Sequence, residues 1–416
     1  MNLKFVREHP EEVRRILELR RCSVDLDRIL SLDTERKKLA QERDKTKFEQ
    51  RQVSEEISRA RRIRQTCDDL VDKAKVFSDK VKQLEATLAV LENELETLAK
   101  TLPNRTHESV TAQEEIVDQW GEIPKFNFQP LAHWDLGEAL DIVDLRAAAR
   151  LAGSRFIVFK GLGALLERAL IAYFLDRHTR QNGYAELAMP VLANPACMEG
   201  AGQLPHLESE MYAMRDDPYY LIPTSETMLA NLHREQTLEE ADLPKRYVTY
   251  SPCFRREAGS YGKDVRGMIR VHQFDKVEIF RITRPEASYQ ALEEMRQEVE
   301  SLVRELGLPY RVKRLAAWDI AYQSAKTYDI EVWAAGVGRW LEVSSISNCE
   351  DYQMRRTKTR LRTRDGRMAW PHALNGSGLA LPRTFIAIIE NFQQPDGSVI
   401  VPAVLRPYMN GLERIA

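Results

Sequence analysis

The sequence predicts an α+β protein. A body with a mixed, mainly antiparallel sheet flanked by helices follows an antiparallel α-helical coiled-coil hairpin. Two observations predict this. Residues 27–102 contain neither Gly nor Pro and are crowded with Lys, Arg, Glu and Gln. From His133 onward, helical stretches alternate with short β-branched and aromatic runs, several of them adjacent with no helix between. Such adjacency favours antiparallel pairing over a doubly wound parallel sheet.

The hairpin comes first in the chain. Cys67, Leu70, Ala74, Phe77, Val81, Leu84, Leu88, Leu91, Leu95, Leu98 and Leu102 alternate in steps of three and four, the seam of a coiled coil. Pro103-Asn104 ends it. The upstream arm keeps the register through Ile29, Leu32, Leu39, Val53, Ile57 and Ala60, while Arg36, Arg43, Thr46 and Gln50 interrupt it. Two helices of roughly thirty residues at 1.5 Å per residue reach about 50 Å, too long to be covered by the body, so the hairpin should project into solvent. A dimerisation coiled coil has the same pattern. The basic run Arg59, Arg61, Arg62, Arg64 near the turn suits phosphate contacts, and it also reads as a solvated helix end. Residues 1–104 therefore form an N-terminal unit. A linker with Pro124 and Pro130 covers 105–132, and 133–416 form the α+β body. Its strand candidates are 246–253, 273–282, 328–333 and 340–345.

Composition narrows the classes. The chain has 416 residues, 43% hydrophobic and 30% charged, enough for a large core. Lys+Arg 61 against Asp+Glu 63 announces no nucleic-acid binder, although whole-chain charge hides local basic surface. No apolar run approaches the ~20 residues of a membrane span. The first twenty residues mix Arg7, Arg14, Arg15 and Arg20 with Glu8, Glu11, Glu12 and Glu18, with no apolar leader, so a cytosolic address is expected. Cys22, Cys67, Cys197, Cys253 and Cys349 are scattered without a CxxC. That argues for a reducing compartment and against a disulfide framework or a zinc site.

The densest chemistry lies between Cys253 and Glu278, which reads as strand, Gly-rich turn (Gly259, Gly262, Gly267), strand. Within a hairpin, Arg255, Glu257 and Arg270 could share one face at period two. Arginine suits a polyanion because its planar fork makes paired, charge-assisted hydrogen bonds. Phe274 offers an apolar face on which a base could stack. Neither GxxxxGK[ST] nor a GxGxxG after a strand occurs. A plain hairpin with surface ion pairs is the bland alternative.

This stretch resembles motif 2 of class II aminoacyl-tRNA synthetases, and its wording is that of the seryl-tRNA synthetases. The resemblance spans the chain, from the hairpin through Leu102-Pro-Asn104 to Arg406-Pro-Tyr-Met-Asn-Gly-Leu412. Gly183–Pro190 resembles motif 1, with Pro190 at the family's dimer interface, and Asn375–Arg383 resembles motif 3. The resemblance implies a class II catalytic domain that binds ATP through Arg255, Arg256, Glu257, Arg270, Phe274, Glu342, Val343, Ser344, Ser345 and Arg383. In that scheme Arg255 holds the α-phosphate and acts in catalysis with Arg383. Glu257 reads the adenine amino group, Phe274 stacks on the ring, and Glu342 and Ser345 reach Mg²⁺. It implies an L-serine site of Thr224, Ser225, Glu226, Arg255, Glu278, Asn375 and Ser377, in which Glu278 and Ser377 recognise the hydroxyl.

The implied reaction has no protein nucleophile. Serine is activated with ATP to seryl-adenylate and passed to the 3′ end of serine tRNA, or of selenocysteine tRNA where that pathway exists. A homodimer is implied, with Arg59, Arg61, Arg62 and Arg64 on the tRNA. His272 and His372 read as structural. Two departures stand out: Trp318 and Ala321 replace family glycines, adding bulk near the site, and Thr227-Met228 replaces a common Val-Pro. A paralogue diverting the adenylation to natural-product assembly or inhibitor resistance, and an inactive synthetase-like binding protein, are the competing readings.

Overall fold

The computed structural model describes residues 1–258 and 266–416. Gly259 and Gly262 of the Gly-rich turn lie outside the described residues. The chain divides into two compact units, 1–103 and 104–416.

In the first unit, short helices at Leu3–Glu8 and Pro10–Leu19 precede two long ones, α1 (Leu26–Arg62) and α2 (Asp68–Lys100). Asp25 caps α1 by accepting from the Arg28 amide, which satisfies one of the orphan N–H groups of the first turn. The seam is where the three-four spacing puts it: Val81, Leu84, Leu88, Leu91 and Leu95 of α2 are buried, as are Ile29, Leu32, Val53 and Ala60 of α1. The polar middle of α1 is accommodated by two devices. Thr46 is buried with its hydroxyl donating to the Glu42 carbonyl. Lys47–Glu85 at 2.6 Å and Lys80–Glu42 at 2.8 Å pair the helices at the seam's edges.

The second unit is built on an eight-stranded sheet. In chain order its strands are β1 (Glu115–Trp120), β2 (Ala185–Leu187), β3 (Lys245–Phe254), β4 (Gln273–Thr283), β5 (Tyr310–Arg314), β6 (Lys326–Ala334), β7 (Arg339–Glu350) and β8 (His372–Ala380). They lie in the order β1-β5-β6-β7-β8-β4-β3-β2. All pairs are antiparallel except β2–β3. The segment 105–132, expected as a linker, thus contributes an edge strand: β1 pairs with β5 and Trp120 stacks on Tyr310. Alternating exposed residues there gave no strand signal, because an edge strand has little buried face.

Helices α3 (Leu162–Arg180), α4 (Ser288–Glu305) and α5 (Leu381–Asn391) form one core with Val277, Ile279, Ile330, Val332 and Leu374 of the sheet. The other face of β4 carries Phe274, Lys276 and Glu278, then Phe280 and Ile282, which join a smaller cluster with Leu229 and Met354. One face of the sheet is therefore apolar, and the other grades from a polar strip into an apolar lid. Among the described residues, no helix is long and apolar enough to cross a membrane.

Leu88 is 3% exposed in the seam. Leu88→Ala should therefore lower stability by about 2–5 kcal/mol through lost burial and a residual cavity. Chemical denaturation of the whole chain checks it, and a loss within about 0.5 kcal/mol would mean the position is not packed.

Candidate functional site

Strand alternation places Phe274, Lys276 and Glu278 on one face of β4. Their neighbours come by register: Thr249 and Ser377 flank Glu278, Ser251 opposes Lys276, and Cys253 opposes Phe274. A bulge in β8 between Ser377 and Leu379 locally re-aims that strand. Glu278 is buried, ion-paired with the Lys276 ammonium and 3.3 Å from the Thr224 hydroxyl, which itself accepts from Lys276 at 2.7 Å. Burial pushes the Glu278 carboxyl up to about 7; Lys276 opposes the rise and the neighbouring Glu226 adds to it.

Glu226 is equally buried. One of its oxygens accepts from the side-chain amides of Gln353 at 2.7 Å, Asn375 at 3.0 Å and Gln323 at 3.2 Å. Burial still raises its pKa, because three neutral donors and distant cations replace only part of a hydration shell.

Arginines close the other side. Strand pairing stops at Phe254–Gln273, so Arg255, Glu257 and Arg270 do not share a strand face as expected. The loops beyond the hairpin bring them together instead: Glu257 sits at φ +50° and its carboxylate accepts from Arg270 Nη1 at 2.6 Å. The Arg255 guanidinium lies 5.1 Å from the Phe274 ring centroid, and its Nε donates to the Pro223 carbonyl at 3.3 Å. At the start of α5, Arg383 donates from Nε to the Ile269 carbonyl at 3.2 Å and from Nη1 to the Glu342 carbonyl at 2.9 Å. These groups line two adjoining cavities. The larger, about 460 Å³, holds Thr224, Glu226, Glu278, Ser345, Asn375 and Ser377. The smaller holds Phe274, Ile269, Val343 and Arg383. Arg255, Glu257, Arg270, Lys276, Glu342 and Ser377 line both.

Three expected contacts lie elsewhere. Ser225 is fully buried and bonds Ser251, Ser344 donates to the Ser377 carbonyl, and the exposed Arg256 donates to the Ser209 carbonyl. His272 and His372 line neither cavity; their Nδ1 atoms meet the Arg255 carbonyl and the Ser288 hydroxyl. Trp318 also lines neither, its indole N–H donating to the Ala112 carbonyl, whereas Ala321 is on the wall of the larger cavity. Lys276, Gln323 and Gln353 escaped the sequence reading. Lys276 was legible, since it sits at period two between Phe274 and Glu278. The two glutamines come from remote segments and carry no local signal.

The sheet order and the arginine–carboxylate cavity define a class II aminoacyl-tRNA synthetase core. The model of the tRNA synthetase class II core domain (G, H, P, S and T) matches residues 210–392, and that of the seryl-tRNA synthetase N-terminal domain matches 1–106. The chain is 46% identical to the serine–tRNA ligase of Thermodesulfovibrio yellowstonii, covering 98% of each chain, and 44% identical to that of Syntrophobacter fumaroxidans over the full length of both. The seryl-tRNA synthetase of Pyrococcus horikoshii complexed with ATP superposes with a TM-score of 0.94 at 35% identity, covering 100% of this chain and 99% of that one. The chain belongs to the seryl-tRNA synthetase family.

Glu278 carries a sign-definite pH dependence. A carboxyl raised from its usual 4.5 to about 7 on folding contributes stability below pH 4.5 that is lost as pH rises to about 7. Glu278→Gln should flatten the decline in melting temperature between pH 5 and 7. An unchanged decline would assign it to other groups.

Proposed function

We propose that the chain is a serine–tRNA ligase: it activates L-serine with ATP to seryl-adenylate and transfers the seryl group to the 3′ end of serine tRNA. The observation that carries this reading is the pair of adjoining cavities, with shared walls, in which an arginine cluster meets two buried carboxylates. Thr224, Glu226 and Glu278 take the substrate ammonium and hydroxyl, with Ser377 and Asn375 beside them. Arg255 orients the carboxylate against the α-phosphate. Arg270 and Arg383 grip the phosphates, and Phe274 and Glu257 take the adenine. The serine carboxylate oxygen attacks the α-phosphorus and pyrophosphate leaves; a terminal ribose hydroxyl of tRNA then attacks the acyl carbon and AMP leaves. The arginines stabilise charge that builds in the first step, and the pocket holds the reactants in line.

Mg²⁺ fits the donors present. Glu342 and Ser345 lie on β7 at the cavity wall, and beside them Asp329 keeps a buried carboxylate oxygen without a hydrogen bond. The described residues contain no group of three or more His, Cys, Asp or Glu able to hold a metal. Mg²⁺ needs few protein ligands, because it keeps its waters and binds substrate phosphates. Glu342 and Ser345 would hold it, and it would neutralise phosphate charge.

The finer assignments follow from the same reading. A homodimer is supported by the edge of β2, which among the described residues pairs with no second strand, and by the exposed Pro190. Exposed Arg59, Arg61, Arg62 and Arg64 at the hairpin tip contact tRNA phosphates. Five free cysteines, two of them buried, fit a cytosolic setting.

Arg255→Ala should abolish serine-dependent ATP–pyrophosphate exchange while thermal melting stays near that of the parent; persistent exchange would overturn the phosphate assignment. Neutralising the four tip arginines should weaken tRNA binding and flatten its salt dependence, by about one phosphate contact per arginine that engages, and spare the exchange reaction. Unchanged tRNA affinity would return the run to a solvated helix end.

A further inference from the structure

His133 opens the short helix His133–Ala139 and is fully buried, as is Glu390 on α5. The Glu390 carboxylate oxygen Oε1 accepts from the His133 amide at 2.8 Å and from its ring Nδ1 at 2.7 Å. Its Oε2 accepts from the amides of Gly336 and Val337 at 2.8 and 3.1 Å. With Nδ1 donating, Nε2 is left as the acceptor, and it takes the Met268 amide at 3.0 Å.

The next two residues hold the same strip of chain. Trp134 lies under the Arg266 guanidinium at 4.8 Å, and Asp135 pairs with Arg266 at 2.8 Å. Gly267, at φ +82°, passes so close that a Cβ there would fall 2.2 Å from His133 Nε2. This strip, 266–270, leads into β4. Among the described residues it pairs with no strand, yet it delivers the Ile269 carbonyl to Arg383 and Arg270 to Glu257.

We infer that His133, braced by Glu390, is a positioning residue for the nucleotide side of the cavity. Arg383 and Glu390 both belong to α5. The contacts therefore close a ring: α5 through Glu390 to His133, His133 to Met268, and Ile269 back to Arg383. The ring fixes the spacing between Arg270 and Arg383 without touching the serine side, whose donors come from β4, β8 and the amides around Glu226. The inference rests on reading the smaller cavity as the nucleotide site.

The test is steady-state ATP–pyrophosphate exchange by the full chain, with KM measured separately for ATP and serine. An asparagine at 133 keeps a donor near Nδ1 and loses the acceptor; a glutamine keeps an acceptor near Nε2. His133→Asn should raise KM for ATP roughly tenfold, the worth of one buried hydrogen bond whose loss frees the strip, and leave KM for serine within about twofold. His133→Gln should restore much of the difference. Gly267→Ala, which keeps the His133 and Glu390 side chains and instead drives a Cβ against His133 and Trp134 at the junction with the strip, should reproduce the ATP effect and keeps the question open to test if His133→Asn does not fold. Arg383→Ala is the reference. If it raises KM for ATP and neither His133→Asn nor Gly267→Ala does, the ring is overturned and the nucleotide reading stands. If none of the three alters the ATP dependence, the nucleotide reading falls with it. Equal losses for both substrates would make His133 a general structural residue and overturn the proposal.

Discussion

The second unit depends on burying two carboxylates, Glu226 and Glu278, against one face of a sheet whose other face is the main hydrophobic core. An ionised carboxylate taken out of water is costly unless donors replace the water. Here the replacement is divided. Three amides from three separate segments converge on Glu226, while Lys276 and Thr224 serve Glu278. The Lys276 ammonium sits between Thr224 and Glu278. On the proposed function, the arrangement holds both acids for a small, doubly polar ligand. Serine then satisfies these groups with its hydroxyl and ammonium, and an analogue lacking the hydroxyl strands them.

The arginine side solves a different problem. Arg255, Arg270 and Arg383 carry like charges and line one cavity. Each is held by a carbonyl or an acid: Pro223 for Arg255, Glu257 for Arg270, Ile269 and Glu342 for Arg383. Such charge-assisted contacts are directional and keep each guanidinium in place. The cation–π contact of Arg255 with Phe274, worth about 1 kcal/mol at a partly exposed site, acts in the same sense.

How much of this was legible varied with the range of the signal. The hairpin seam was readable because a three-four period is a local property of one helix, and the four strand candidates fell within β3, β4, β6 and β7. The edge strand β1 was not, since its side chains are mostly exposed and its strand character comes from pairing with β5. Motif spelling pointed to Arg255, Glu278 and Arg383, yet period two misplaced the reason Arg255, Glu257 and Arg270 meet, which is loop geometry with Glu257 at positive φ. Gln323, Gln353 and the His133–Glu390 brace act across more than a hundred residues, or nearly so, and only the folded chain brings them together.

The most direct test of the central claim is exchange of pyrophosphate into ATP with serine, alanine and threonine in turn, followed by acylation of total tRNA. The account predicts exchange with serine alone and transfer of the seryl group to tRNA. Comparable exchange with alanine would mean that Glu278 and Ser377 do not read a hydroxyl, and would contradict it.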